Sequence, residues 1–75
     1  MTGERIRRMK SEEVEEILRR YGFVLISQHG SHRKWRHDKR HLQVIVPQHQ
    51  GRDLPVGTLR NIFVNAGIPD ADWKS

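Results

Sequence analysis

The stretch Phe23-Val24-Leu25-Ile26-Ser27-Gln28-His29-Gly30-Ser31-His32-Arg33-Lys34-Trp35-Arg36-His37 decides the fold of this chain. Phe23 to Ile26 is aromatic, aliphatic and too brief for a helix, so it reads as a strand buried on much of both faces. His29-Gly30-Ser31 is a turn. From His32 onward the side chains alternate: His32, Lys34 and Arg36 point one way, and Arg33, Trp35 and His37 the other. Trp35 marks the core side, because burying an indole stabilises far more than burying a cation. His32 then lies on the open face.

Working outward, Asp38-Lys39-Arg40 supplies a second turn. His41 to Val46 follows as a third strand, with Leu42, Val44 and Val46 inward and Gln43 and Ile45 outward, and Pro47 ends it. Two consecutive tight turns make an antiparallel meander in the order 1, 2, 3. Before it, Val14, Ile17, Leu18 and Tyr21 repeat at the spacing of one helical face, which predicts a helix over 11–21 with Ser11 as N-cap and Gly22 as its stop. Glu12, Glu13, Glu15 and Glu16 form the solvated side of that helix. After the meander, Leu59, Ile62, Phe63 and Ala66 repeat the same spacing ahead of Gly67, which predicts a second helix over about 57–66. Gly57-Thr58 at its start serves equally as a cap or as a pair of amides for a phosphate. Asp70-Ala71-Asp72-Trp73 can add one more turn, with Trp73 folded back on the body.

The expected class is therefore α+β. The order is α-β-β-β-α, a three-stranded antiparallel sheet with two helices packed on one face. Residues 1–10 show no apolar periodicity and read as a flexible basic arm, ahead of a single domain spanning 11–75. With 75 residues the chain buries only about 60% of its unfolded surface and supports one core.

The formal charge is +5 and the chain has no cysteine, so neither disulfides nor thiolate metal ligands hold the fold. No apolar run reaches the roughly 20 residues that cross a bilayer, and the basic start lacks the apolar stretch of a signal peptide. These features place the protein in the cytoplasm, away from membranes. The charge is segregated: Arg33, Lys34, Arg36, Lys39 and Arg40 face only Asp38 between residues 29 and 41. Such a patch attracts a polyanion, with nucleic acid as the leading class, although it also suits a merely solvated hairpin.

Histidine titrates near neutrality and can take and give a proton at working pH. His32, beside cations on an open sheet face, can remove the 2′-hydroxyl proton of RNA so that this oxygen attacks the adjacent phosphate. Lys34 or Arg36 can stabilise the charge that develops, with no metal or other cofactor required. The same residues suit two other readings. One is a non-catalytic RNA-binding module, and the other a protein-interaction domain that takes a partner strand on its sheet. His29, His37 and His41 read as strand-end residues in solvent. They form a zinc site with His49 only if they converge in space.

Five segments together carry a resemblance. Gly22-Phe23, Gly30-Ser31-His32, Val46-Pro47-Gln48-His49, Pro55-Val56-Gly57-Thr58-Leu59-Arg60 and Ala66-Gly67-Ile68 match, in order and spacing, the HicA toxins of bacterial and archaeal toxin–antitoxin pairs. The resemblance implies a ribosome-independent mRNA endonuclease with the fold of double-stranded-RNA-binding domains. The family's catalytic histidine falls on His32, within Gly30-Ser31-His32. RNA contacts are expected from Gly30, Ser31, Arg33, Lys34 and Arg36, and a structural or substrate contact from His49. The implied partners are mRNA and a HicB antitoxin that covers the active face.

Overall fold

Val14, Ile17 and Leu18 line the buried stripe of the first helix, α1 (Ser11–Arg20). A computed structural model describes residues 5–75, in which α1 is followed by β1 (Val24–His29), β2 (His32–His37), β3 (Leu42–Pro47), α2 (Val56–Ala66) and a 3-10 turn (Asp70–Asp72). The three strands form one antiparallel sheet in the order β1-β2-β3. Both helices contribute to the same apolar cluster as Trp35, Val44 and Val46, so the core lies on one side of the sheet.

The N-cap of α1 is Lys10, not Ser11. Lysine has no acceptor to offer. Instead the Lys10 backbone N–H donates to the Glu13 carboxylate at 2.9 Å, which is half of a capping box. Ser11 is freed from capping by burial, and its hydroxyl points at Gln48 Oε1, 3.4 Å away. At the other end of the chain, Gly67 closes α2 in the left-handed conformation with φ of 69°. Trp73 folds back, stacks on Phe63 at 5.4 Å and donates its indole N–H to the Ile68 carbonyl at 3.0 Å.

Three expectations need correction. Residues 5–10 are not a free arm. Ile6 pairs with Lys74 and Lys10 with Asp53 in antiparallel bridges, and Met9 is fully buried in the core. Both partners lie far along the sequence, so no local periodicity announces them. The part of the expected arm in residues 1–4 lies outside the described residues. Second, β1 is a sheet edge: Val24 is 52% and Leu25 43% exposed, where burial on much of both faces was expected. A bulge between Leu25 and Ser27 interrupts its ladder with β2.

Third, Glu15 is buried, not solvated. Ser11, Glu15 and Leu18 follow one another at i, i+4, i+7 along the flank of the apolar stripe, and that flank faces the sheet. The Glu15 carboxylate accepts the Trp35 indole N–H at 2.9 Å, the Gln48 amide at 3.1 Å and the Arg33 guanidinium at 3.1 Å. Arg19 caps the same indole from outside, 5.0 Å from the ring centre.

Replacing Glu15 by Leu orphans the buried Trp35 N–H and leaves Arg33 without its carboxylate. Arg33 is partly exposed, so solvent screens its share, and most of the loss comes from the indole donor. The expected destabilisation is about 2–3 kcal/mol by urea unfolding; a change below about 0.5 kcal/mol would show that the network contributes nothing. A separate contact docks the tail. The Tyr21 hydroxyl donates to the Asp72 carboxylate, and this hydrogen bond, more than desolvation, holds the phenol pKa above its ordinary value. A raised phenol pKa means stability that is present below about pH 10 and lost as pH climbs through the higher folded value. Near-ultraviolet dichroism of Trp73 should therefore change above about pH 10 in the wild type. In Tyr21→Phe that alkaline change should disappear.

Candidate nucleic-acid interface

The open face of the sheet is a grid of three rows. Cross-strand register aligns Val24 with Arg36 and Gln43, Ser27 with Lys34 and Ile45, and His29 with His32 and Pro47. Directly opposed residues share a face, so these nine side chains lie opposite the helices. His32 and Arg36 are exposed and Lys34 is half-buried between its neighbours. Arg36 pairs with exposed Asp38 at 2.8 Å, whereas Lys34 has no acidic partner among the described residues. An exposed ion pair of this kind is readily exchanged for a phosphate.

Of the residues singled out from sequence, His32, Lys34 and Arg36 are thus brought onto one surface. Arg33 is not. It lies on the helix side, where its guanidinium donates to Glu15 and its Nε–H to Gln28 Oε1 at 3.2 Å. Gly30 and Ser31 form the two-residue loop between β1 and β2. Gly30 takes a φ of 58°, and glycine at the first loop position is what a tight hairpin of this length demands. Space above its Cα is open, so a ligand backbone can approach the loop closely.

Behind the loop, the Ser31 carbonyl accepts the Gln48 backbone N–H at 2.7 Å. The Gln48 side chain in turn donates to Glu15. Buried Glu15 is therefore linked through one residue to the loop that leads into His32. Neither Glu15 nor Gln48 was singled out from sequence for such a role. The one available signal was the placement of Glu15 between Ser11 and Leu18 on the helix.

His49 is exposed and sits two residues beyond Pro47, the cross-strand partner of His32, at the same end of the sheet. His37 is occupied elsewhere: its Nδ1 accepts the Arg40 N–H at 3.2 Å, and its ring meets Phe23 edge-on at 5.3 Å. Among the described residues no three His, Asp or Glu side chains converge as metal ligands. Gly57 and Thr58 fall inside the first turn of α2, whose N-cap is Pro55. No helix among the described residues is long and apolar enough to cross a membrane.

No curated protein matches the chain. A family model described as the HicA toxin of bacterial toxin–antitoxin systems matches residues 11–68, from the first residue of α1 to the hydrophobic residue just past the cap of α2. That span holds the whole sheet, both helices and every residue of the basic grid. On the strength of this match over well over half of its length, the chain belongs to the HicA toxin family, whose members act with an antitoxin partner.

Proposed function

We propose that this protein is an endoribonuclease that cleaves mRNA without a metal, with His32 as general base, in the cytoplasm. The observation that carries the reading is the alignment of His32, Lys34 and Arg36 on one uncovered sheet face of a chain in a toxin family. His32 takes the 2′-hydroxyl proton, and the 2′-oxygen attacks the neighbouring phosphorus. Lys34 and Arg36 hold the phosphoryl oxygens as their charge grows. Gly30 and Ser31 let the RNA backbone come close to the hairpin tip, and His49 offers a further contact at the same end. Arg33 contributes from the helix side, by fixing β2 against Glu15. Its direct contact with RNA would require release of that ion pair. A HicB antitoxin silences the toxin by covering the open face, which presents exposed Ile45 and Val24 beside the cations and so suits a protein surface as well as a nucleic acid.

Purified wild type and His32→Ala should be compared on single-stranded RNA with EDTA present. His32→Ala is expected to lose at least about 100-fold in rate, the range for removal of a general base, while keeping its fold and most of its RNA affinity. A fully 2′-deoxy substrate should be inert, and its cleavage would sink the mechanism. If His32→Ala alters affinity alone, the non-catalytic RNA-binding module is the better reading.

Lys34→Ala combined with Arg36→Ala should weaken RNA binding and flatten its salt dependence. The expected decrease is about 0.7 in the log–log slope for each phosphate contact removed. An unchanged slope would mean that these cations do not meet the RNA backbone.

A further inference from the structure

We propose that His29 is the general acid of the reaction, protonating the 5′-oxygen that leaves when His32 drives attack by the 2′-oxygen. The inference rests on the ribonuclease reading above and adds a second catalytic residue to it.

β1 ends at His29, β2 begins at His32, and the two are register partners across the Gly30-Ser31 loop. Directly opposed residues on an antiparallel pair carry their Cβ atoms about 4.5–5.5 Å apart on the same face. Both residues are exposed. Gln28, the residue before His29, is turned to the helix side, where it accepts from Arg33 and donates to the Gly30 carbonyl at 3.0 Å. That pins the orientation of the strand end and sends His29 outward. Two imidazoles therefore stand side by side at the tip of an open face, joined by the Gly30-Ser31 turn and with Lys34 in the next row.

In-line displacement at phosphorus places the entering and leaving oxygens on opposite sides of the reacting atom. A base must reach one and an acid the other, each at about 2.6–3.2 Å. Two histidines one cross-strand pair apart are spaced to straddle one phosphate. The other members of the grid are poorer donors: Val24, Ile45 and Pro47 have no proton to give, Gln43 and Ser27 are far too weakly acidic, and Lys34 and Arg36 are engaged on the phosphoryl oxygens. In the step, the 2′-hydroxyl proton passes to His32 as the 2′-oxygen–phosphorus bond forms. The phosphorus–5′-oxygen bond breaks, and the His29 imidazolium gives its proton to that oxygen. The products are a 2′,3′-cyclic phosphate and a 5′-hydroxyl, with a proton gained by His32 and one lost by His29.

The test uses the full chain and a leaving group that needs no acid. After the wild-type cleavage site is mapped on a single-stranded RNA, the same RNA is made with sulfur replacing the 5′-bridging oxygen at that bond. A thiolate is a far weaker base than an alkoxide and departs without needing a proton. His29→Ala, and His29→Gln as a bulkier control, should lose about 100-fold or more in kcat on the oxygen substrate with KM little changed. Both should cleave the sulfur substrate within about threefold of wild type, since the acid contributes nothing there. His32→Ala should fail on both substrates.

Equal losses by His29→Ala on the two substrates would overturn the proposal and leave His29 a contact or a structural residue. So would wild-type rates on the oxygen substrate, or sulfur rescue confined to a His49→Ala variant run in parallel. A His32→Ala protein as active as wild type refutes the base assignment, while the sulfur comparison still decides His29. A wild type that cuts no RNA overturns the ribonuclease reading and this inference together.

Discussion

The indole of Trp35, buried with its N–H on the Glu15 carboxylate, is the contact on which the remaining architecture turns. Side chains on a strand alternate with a strict period of two, so fixing one residue inward fixes the direction of its neighbours. With Trp35 held against α1, Lys34 and Arg36 have no choice but the opposite surface, and His32 follows two steps further back. A polar anchor does this better than an apolar one. A leucine in place of the indole could slide by a residue, whereas a directional hydrogen bond to a helix loses its partner if the register slips. The same carboxylate reaches Gln48 and Arg33, so α1, the middle strand and the segment after β3 meet at one group.

Much of this order was legible in the chain because it is local. The helix stripes, the glycine stops, the two hairpin turns and the alternation around Trp35 each depend on residues within a few positions of one another. From these the α-β-β-β-α order and the open face carrying His32, Lys34 and Arg36 follow directly. The exclusion of Arg33 from that face was legible too, since the alternation that sends Lys34 outward sends Arg33 inward.

What was not legible is long-range. Ile6, Met9 and Lys10 look like scattered residues in a basic segment until Lys74, Leu54 and Asp53 come alongside them. Glu15 looks like one acid among four until Trp35 and Gln48 arrive from elsewhere in the chain. The exposure of Val24 and Leu25 reflects the place of β1 in the sheet, which is a property of neighbours and not of the strand's own residues. In each case the local composition was compatible with the observed outcome but did not require it.

The bulge in β1 has a geometric meaning of its own. Counted as an unbroken strand, Val24, Ile26 and Gln28 share one parity and Leu25, Ser27 and His29 the other. The extra residue between the pairs Leu25–Trp35 and Ser27–Lys34 reverses that parity midway. The base of β1 therefore obeys one phase, with Leu25 beside Trp35, and the tip obeys the opposite phase, with Ser27 and His29 beside Lys34 and His32. A single residue thus acts as a phase inverter. It lets the end of the hairpin choose its outward-facing side chains independently of the end that must match the core.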